Sequence, residues 1–321
     1  MKVVAETPTR RFRPGRWLYR VWYQPLGWFE RSWREGGPIE QWRTARGRNA
    51  MRQAAAMLRP ITVSSPSPGK PSLFFLSGAS FWEQTVFCLR SLQAVTPGVI
   101  WPVGIIDDGT LHSFARQAIE RAFPGIAIFD QRAIESALDH MIPAGRFPSL
   151  RAHRITYKHL RKITDVPAVH PGWNAVLDSD MLFHAAPDEF LRWFRDPQSP
   201  LVLTDVANAY GYSEETLAAC KGVYPPKRIN VGITGLSSAQ INWSQVEHWT
   251  YTLLCRHGSS YFLEQALVAL MLAEGPFGQL DEQRYRVKPT PAEIHHPTAL
   301  LHHYVADSKR DYLRQAWRRF A

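Results

Sequence analysis

Short apolar runs alternate with longer stretches of helical spacing from about residue 72 onward. The apolar runs predict strands over residues 73–76, 100–106, 126–129, 174–183, 201–204 and 229–234. The stretches with helical spacing predict helices over residues 82–95, 111–123, 150–163 and 261–273. Strands that alternate with helices are typical of an α/β fold, in which helices cover both faces of a mostly parallel sheet.

Residues 1–60 differ from the rest of the chain in charge and in aromatic content. They hold 13 Lys and Arg against 4 Asp and Glu, whereas the remaining residues hold 25 against 24. Five tryptophans also lie there, namely Trp17, Trp22, Trp28, Trp33 and Trp42. Three interpretations stay open: helices packed on the body, an anionic membrane surface that suits arginine and indole, and nucleic acid as the least favoured partner.

A segment rich in Ser, Pro and Gly follows this basic stretch, at residues 61–72. Such a composition predicts a linker. We therefore expect two parts, a basic, Trp-rich N-terminal extension with its linker over residues 1–68 and a body over residues 69–321.

The composition of the whole chain excludes several classes of protein. Apolar residues make up 45% and charged residues 21%, which excludes disordered and fibrous proteins. No apolar run approaches the roughly 18 residues of a membrane span, and residues 1–13 lack the apolar segment of a signal peptide. Cys88, Cys220 and Cys255 show no metal-binding spacing. We expect a cytoplasmic protein with structural thiols, and peripheral association with the inner face of the membrane is a further hypothesis.

Acidic residues follow two of the predicted strands, at Asp107 and Asp108 and at Asp178 and Asp180. In open α/β sheets, ligands bind beyond the carboxyl ends of the strands. In an extended chain Asp178 and Asp180 point the same way, so both can hold one divalent cation, which removes their mutual repulsion. This pattern predicts a metal site beside a diphosphate. Asp107 or Asp108 would face a base or ribose, and polar turns are the alternative at both places.

A run of basic residues precedes the second acidic pair, on the helix predicted over residues 150–163. Its members share one arc of the helix surface and are Arg151, Arg154, Lys158, Arg161 and Lys162. A cationic stripe just before a metal-binding strand suits a diphosphate, because arginine makes bidentate contacts with phosphate. A solvated helix face is the alternative.

Two further patterns are candidates for binding or chemistry. Glu264 and Gln265 are the strongly polar side chains of an otherwise apolar helix, where a buried carboxylate needs a partner. We expect them at a sugar or an acceptor, with a hydrogen bond to the backbone as the structural alternative. Ser77 and Gly78 follow the first strand, and small residues there let the backbone approach a nucleotide.

With these residues in place, the sequence resembles the nucleotide-sugar glycosyltransferases of the GT-A fold, most like the retaining glycogenin and lipopolysaccharide-galactosyltransferase type. The resemblance covers roughly residues 72–312 and rests on four motifs in the order of that family. They are an Asp-x-Asp (Asp178, Asp180), an Asn-x-Gly (Asn230, Gly232), an acid–Gln pair (Glu264, Gln265) and a late His-aromatic-x-small-x-x-Lys (His303 to Lys309). The chain departs from the family at Glu264, where Asp is common, and after Lys309, where Pro-Trp is absent.

The resemblance implies a Rossmann-like GT-A domain and a hexosyltransferase that uses a nucleotide sugar, a UDP-sugar in the first instance, and Mn²⁺ or Mg²⁺. It implies metal ligands at Asp178, Asp180 and His303, although His302, His295 and His296 compete for the imidazole role. Donor contacts are then expected from Ser77, Gly78, Asp107, Asp108, Arg154, Lys158, Asn230, Gly232, Gln265 and Lys309. A sugar, glycan or lipid-linked acceptor would complete the reaction.

The stereochemistry and the class of protein stay open at this point. In a retaining reaction Glu264 or Gln265 would steady the cationic sugar, and in an inverting one Glu264 would be the base. A sugar-1-phosphate nucleotidyltransferase is a second enzyme class, but the Gly-rich basic loop that it needs is absent from residues 74–82. A basic adaptor with an inactive body, bound to nucleic acid or anionic lipid, is the non-enzyme alternative.

Overall fold

Two β-sheets form the centre of the computed structural model, which describes residues 37–321. The larger sheet has seven strands in the order β3-β2-β1-β4-β7-β6-β8, and the smaller has three in the order β5-β10-β9. In chain order the strands are β1 Ser72–Ser77, β2 Val103–Asp107, β3 Ala127–Phe129, β4 Trp173–Leu177, β5 Met181–Phe183, β6 Leu201–Thr204, β7 Ile229–Ser237, β8 Gly278–Leu280, β9 Tyr285–Val287 and β10 Leu301–His303. Six strands of the larger sheet run in one direction and β7 runs against them. The predicted α/β fold with a mostly parallel sheet is thus confirmed.

Helices pack against both faces of the larger sheet. Along β1 the side chains alternate, because Leu73 and Phe75 join one buried cluster and Phe74 joins a second. The α-helices are Gly37–Ala55, Trp82–Val95, Ser113–Ala122, Gln131–Met141, Pro148–Thr156, Arg161–Val169, Asp188–Arg195, Glu214–Lys221, Trp243–His257, Leu263–Leu272, Pro291–His295 and Ser308–Arg314. Short 3₁₀ turns cover Lys158–Leu160, Ser238–Gln240 and Ala316–Phe320.

Two predicted elements are wrong in their extent. The strand expected over residues 174–183 is two strands, β4 and β5, which a bend at residues 178–180 separates. The helix expected over residues 150–163 is also divided, into Pro148–Thr156, a 3₁₀ turn and Arg161–Val169. Arg151 and Lys162 therefore lie on different helices, and the single cationic stripe does not form.

The described part of the predicted extension packs on the body. The helix Gly37–Ala55 crosses the helix Ser308–Arg314 closely at Gly47, where a Cβ would lie 2.6 Å from the carbonyl oxygen of Leu313. Met51 is fully buried, and Ile61 donates a backbone hydrogen bond to Ala122, inside the predicted linker. The predictions for residues 1–36, including Trp17, Trp22, Trp28 and Trp33, lie outside the described residues. The division of the chain at residue 68 stays a prediction.

Among the helices of residues 37–321, none combines the length and the hydropathy that crossing a bilayer requires. The cytoplasmic location expected from the sequence stays a prediction.

Candidate active site

Two carboxylates and an imidazole meet where β4 ends. Asp178 and Asp180 occupy the bend between β4 and β5, and His303 ends β10. The Nε2 atom of His303 lies 3.5 Å from Oδ2 of Asp178 and 3.4 Å from Oδ1 of Asp180. One ligand atom from each of the three residues falls within 4.8 Å of the others. The structure therefore brings together the three residues predicted as metal ligands.

The bend that carries the two aspartates is held from both sides. The backbone N–H of Asp178 donates to the carbonyl of Gly232 at 2.8 Å, and that of Tyr304 donates to the carbonyl of Asp180 at 2.8 Å. The Ser179 hydroxyl, between the two aspartates in the chain, lies 2.7 Å from the hydroxyl of Thr85. These contacts tie the bend to β7, to the residue that follows β10 and to the helix Trp82–Val95, so the backbone that carries the two carboxylates is held at three points.

Gly232 makes room for His303. A Cβ at position 232 would lie 2.5 Å from Cε1 and Nδ1 of the imidazole, closer than van der Waals contact allows. His303 is 3% exposed, so the ring has little space to retreat. The glycine of the Asn-x-Gly motif thus shapes the imidazole position of the cluster.

Two lysines bind the outer oxygens of the same carboxylates. The Nζ of Lys162 lies 2.7 Å from Oδ1 of Asp178, and that of Lys309 lies 2.8 Å from Oδ2 of Asp180. Burial raises the pKa of the Asp180 carboxyl, but the charges of Lys309 and His303 outweigh it and hold that pKa well below its usual range. Oδ2 of Asp178 and Oδ1 of Asp180 remain turned towards His303.

Glu264 lies beside this cluster, at the start of the helix Leu263–Leu272. Its Oε2 is 3.1 Å from Nζ of Lys162 and 4.0 Å from Nδ1 of His159, while its buried Oε1 has no hydrogen-bond partner among residues 37–321. Burial raises the pKa of Glu264 to about 8, and the charge of Asp178 adds to this, although Lys162 acts against it. Lys162 therefore links Asp178 to Glu264 within a largely buried network. The sequence predicted Lys162 only as a member of the cationic stripe suited to a diphosphate, and not as a partner of Asp178 or Glu264.

A second network joins the other two motifs through Asp205. Oδ2 of Asp205 accepts hydrogen bonds from Nδ2 of Asn230 at 3.0 Å and from Nε2 of Gln265 at 3.2 Å. The Asn230 side chain also accepts from the N–H of Gly232 at 2.9 Å. The Asn-x-Gly and acid–Gln motifs are thus connected by a residue that the sequence analysis overlooked, although Asp205 directly follows β6, as Asp178 follows β4.

Four residues that were predicted to contact a nucleotide lie close together at the ends of β1 and β2, namely Gly78, Asp107, Asp108 and Lys158. Gly78 packs against the Asp108 carboxylate so closely that a Cβ would collide with it. Lys158 lies 2.9 Å from the other oxygen of Asp108 and is 43% exposed. Asp107 accepts two backbone N–H groups of its own turn, from Gly109 and Leu111. The alternative of a polar turn therefore accounts for one of the two carboxylate oxygens of Asp107 and of Asp108.

Ser77 and Arg154 are engaged elsewhere. The buried Ser77 hydroxyl lies 2.8 Å from that of Thr85. Arg154, which is 1% exposed, binds both oxygens of Asp165 at 2.7–2.8 Å and Glu135 at 2.6 Å. These carboxylates already bind the guanidinium group of Arg154 in the structure, and its predicted phosphate contact stays a prediction.

The residues present fit a hard divalent cation. Two carboxylate oxygens and one imidazole nitrogen are a donor set that suits Mn²⁺, and Mg²⁺ shares the oxygen preference. The lysines occupy the outer oxygens and leave one oxygen of each aspartate facing His303. Gly232 keeps the imidazole in this position.

Comparisons with known proteins agree with this architecture. No protein-family model matches the chain, and no curated protein sequence matches it. Among solved structures, the apo structure of the bifunctional glycosyltransferase WbbM matches with a TM-score of 0.51 and 11% identity, over 79% of this chain and 51% of that chain. This chain thus spans about half the length of WbbM.

Two further structures match over nearly their whole length. Mouse xyloside xylosyltransferase 1 matches with a TM-score of 0.47 and 13% identity, over 78% of this chain and 99% of that chain. The galactosyltransferase LgtC, solved with donor and acceptor sugar analogues, matches with a TM-score of 0.49 and 13% identity, over 78% of this chain and all of that chain. At such identities a likeness shows the fold alone. The match to WbbM and the sheet order confirm the predicted GT-A-type fold.

Proposed function

We propose that the chain is a metal-dependent glycosyltransferase that moves a sugar from a nucleoside-diphosphate sugar to an acceptor hydroxyl. The observation that carries this proposal is the cluster of Asp178, Asp180 and His303, with a lysine on each aspartate, at the strand ends of a GT-A-type sheet. LgtC was solved with donor and acceptor sugar analogues, and the mannosyltransferase Ktr4p with GDP, which is consistent with a nucleotide sugar as donor.

In the proposed site Asp178, Asp180 and His303 hold the cation. When bound, a divalent cation neutralises the diphosphate and stabilises the negative charge of the leaving group. The side chain of Lys309 is 37% exposed, and we propose that its ammonium group contacts the leaving phosphate. Asp108 and Lys158 lie at the end of β2 and are proposed to face the ribose and base, for which UDP is the first candidate.

The sugar is proposed to lie between the two networks. Asp205 fixes the Asn230 and Gln265 amides, so that their remaining polar atoms are presented in a defined orientation. Glu264 is bound to Lys162 in a buried position, which supports a role as a hydrogen-bonded neighbour of the cationic sugar more than as a free base. We therefore favour retention of configuration. A sugar, glycan or lipid-linked molecule supplies the attacking hydroxyl.

Thermal unfolding with Mn²⁺ or Mg²⁺ and a panel of nucleotide sugars tests the proposal. We expect one nucleotide class to raise the Tm in the presence of the metal, since a ligand that binds the folded state stabilises it. The double variant Asp178→Asn/Asp180→Asn should lose this effect and keep the fold. Asp196→Asn, on an exposed helix end, is the matched control.

Two results would contradict the proposal. One is metal-dependent stabilisation that survives in the double variant, which would move the metal site elsewhere. The other is a failure of every nucleotide sugar to bind or to be hydrolysed by the wild-type protein. Once a donor is found, NMR of the anomeric proton in the product distinguishes retention from inversion.

A further inference from the structure

A groove lined by arginines lies between the helix Gly37–Ala55 and the C-terminal end of the chain. Its volume is about 910 Å³, and its lining includes Trp42, Arg43, Arg46, Arg314 and Arg318, with no carboxylate among the described residues that line it. We call this surface the arginine groove. It lies apart from the carboxylate cluster and has no role in the proposed reaction.

The charge of the arginine groove is positive even after its ion pairs are counted. Glu40 lies next to it and is shared by two arginines, at 2.8 Å from Arg43 and 2.6 Å from Arg314. Arg46 stacks on the ring of Trp42, with its guanidinium carbon 5.5 Å from the ring centre, and Arg318 stacks on Trp317 at 4.8 Å. Among residues 37–321 one carboxylate pairs with these four guanidinium groups, so this surface attracts anions.

The same helix face also exposes large apolar side chains. Ile39 is 66% exposed and Trp42 is 59% exposed. Together with Arg43 and Arg46 they follow the spacing of three and four residues that places side chains on one face of a helix. Arginines beside an exposed tryptophan and isoleucine suit the boundary between lipid headgroups and acyl chains. Nucleic acid would explain the arginines and the indole, but an exposed isoleucine offers nothing to phosphates or to base stacking.

One short helix connects the arginine groove to the proposed active site. The helix Ser308–Arg314 carries Lys309, bound to Asp180, in its first turn and Arg314, bound to Glu40, at its end. About one and a half helical turns therefore separate Lys309 from Arg314. Residues 1–36 lead directly into the groove helix, and their sequence holds eight Lys and Arg against three Asp and Glu.

We propose that the arginine groove docks the protein on an anionic membrane surface, with the guanidinium groups at lipid phosphates and with Trp42 and Ile39 in the interface. Docking there brings the strand ends of the sheet close to an acceptor borne by the membrane. The delivery of an acceptor rests on the proposed function, whereas membrane binding itself does not.

Co-sedimentation with vesicles tests the docking without any donor, metal or acceptor. The full chain is mixed with vesicles of phosphatidylcholine alone and of phosphatidylcholine with phosphatidylglycerol, at low and at high salt. We expect binding to the anionic vesicles that falls steeply with salt. The variant Arg46→Glu/Arg318→Glu should lower the partition coefficient by about 30-fold or more at low salt, at about 1 kcal/mol for each arginine.

Matched controls separate the groove from general charge effects. Arg132→Glu/Arg256→Glu makes the same change of charge at exposed positions elsewhere. Trp42→Ala should weaken binding at both salt concentrations, whereas Tyr251→Ala, which removes another half-exposed aromatic ring, should not. If the double reversal lowers the Tm, Arg46→Gln/Arg318→Gln replaces it.

Three outcomes would overturn the docking. The first is equal binding of the wild type and the double reversal to anionic vesicles, and the second is an equal loss in the control double variant. The third is that Arg46→Glu/Arg318→Glu loses affinity for a single-stranded oligonucleotide but binds vesicles like the wild type, which would assign the groove to nucleic acid. A protein that binds anionic vesicles through the groove but hydrolyses no nucleotide sugar would contradict the proposed function alone.

Discussion

A single methyl group at position 232 tests how the proposed metal site is shaped. In Gly232→Ala the new Cβ would lie 2.5 Å from Cε1 and Nδ1 of His303, and ordinary van der Waals contact begins near 3.4 Å. The imidazole must therefore move by about 0.9 Å, or β7 must shift by a similar amount. A strand in the middle of a sheet resists such a shift, because its neighbours β4 and β6 hold it on both sides. We expect the ring to move.

The displacement is large on the scale of metal coordination. Metal–ligand distances are held to about 0.2 Å, so a ring moved by about 0.9 Å no longer serves as a ligand beside Asp178 and Asp180. We expect Mn²⁺ affinity to fall at least about tenfold and transfer to fall by about 100-fold, the order of loss that a displacement near 1 Å produces. Overpacking should cost about 1–3 kcal/mol of stability, which leaves the fold populated.

Mn²⁺ binding is measured by the electron paramagnetic resonance of the free ion, and stability by thermal unfolding of the same samples. The matched control is Gly275→Ala, because nothing lies within 4 Å of a Cβ built there. We expect this control to bind Mn²⁺ like the wild type. If Gly232→Ala is folded at the temperature of the measurement and binds Mn²⁺ as tightly as the wild type, the assignment of His303 as a ligand and the role given to Gly232 are refuted.

Three further expectations follow from the buried charges. Arg154→Met should destabilise the protein by about 3–5 kcal/mol in chemical denaturation, because it leaves buried carboxylate charge unpaired, and donor affinity in the folded fraction should not change. Lys162→Met should lower the free energy of unfolding by a similar amount and abolish transfer. Lys158→Met, at a more exposed pair, should change that free energy by less than about 1 kcal/mol. Equal effects of the two substitutions would contradict the buried network. Burial lowers the pKa values of His184 and His302 to about 3 and about 4, below the value of about 6.5 in the unfolded chain. The contribution of these neutral histidines to the free energy of unfolding is therefore fully present above about pH 6.5. Below that pH it falls by up to about 1.4 kcal/mol for each histidine and pH unit. Denaturation curves at several pH values measure this slope, and a flat profile between pH 6.5 and 5 would refute it.

The strand pattern and the order of motifs predicted the fold class but not every strand, since β8, β9 and β10 lie outside the predicted apolar runs. Each apolar run forms a strand because its residues face a buried cluster on either side of the sheet, as Leu73 and Phe74 do. The exception is the run over residues 174–183, where hydrophobic side chains on both sides of the bend concealed the division into β4 and β5. Asp178 and Asp180 still lie close together, because β7 and the residue that follows β10 both form hydrogen bonds to the bend.

The cations of the site were harder to assign from the sequence. Residues 150–163 contain no Gly or Pro, so nothing signalled the break at Tyr157 that ends one helix and begins another. This break separates Lys162, which faces the cluster, from Arg154, which pairs with Asp165. Propensity along one segment cannot reveal such a division, because the partners that stabilise it lie far away in the chain.

The choice between neighbouring histidines depends on the register of one short strand. Successive side chains of β10 point to opposite faces, so His302 and His303 cannot both reach the carboxylates. Pairing of His303 with Met181 places its imidazole against Asp180, while His302 is buried beside His184, with ring centres 4.6 Å apart. A slip of one residue would exchange the two imidazoles. Three residues carry too little pattern to set that register, so the family motif alone pointed to His303 in the sequence. The pairing of β10 between β5 and β9 then places this imidazole beside the carboxylates, as the prediction requires.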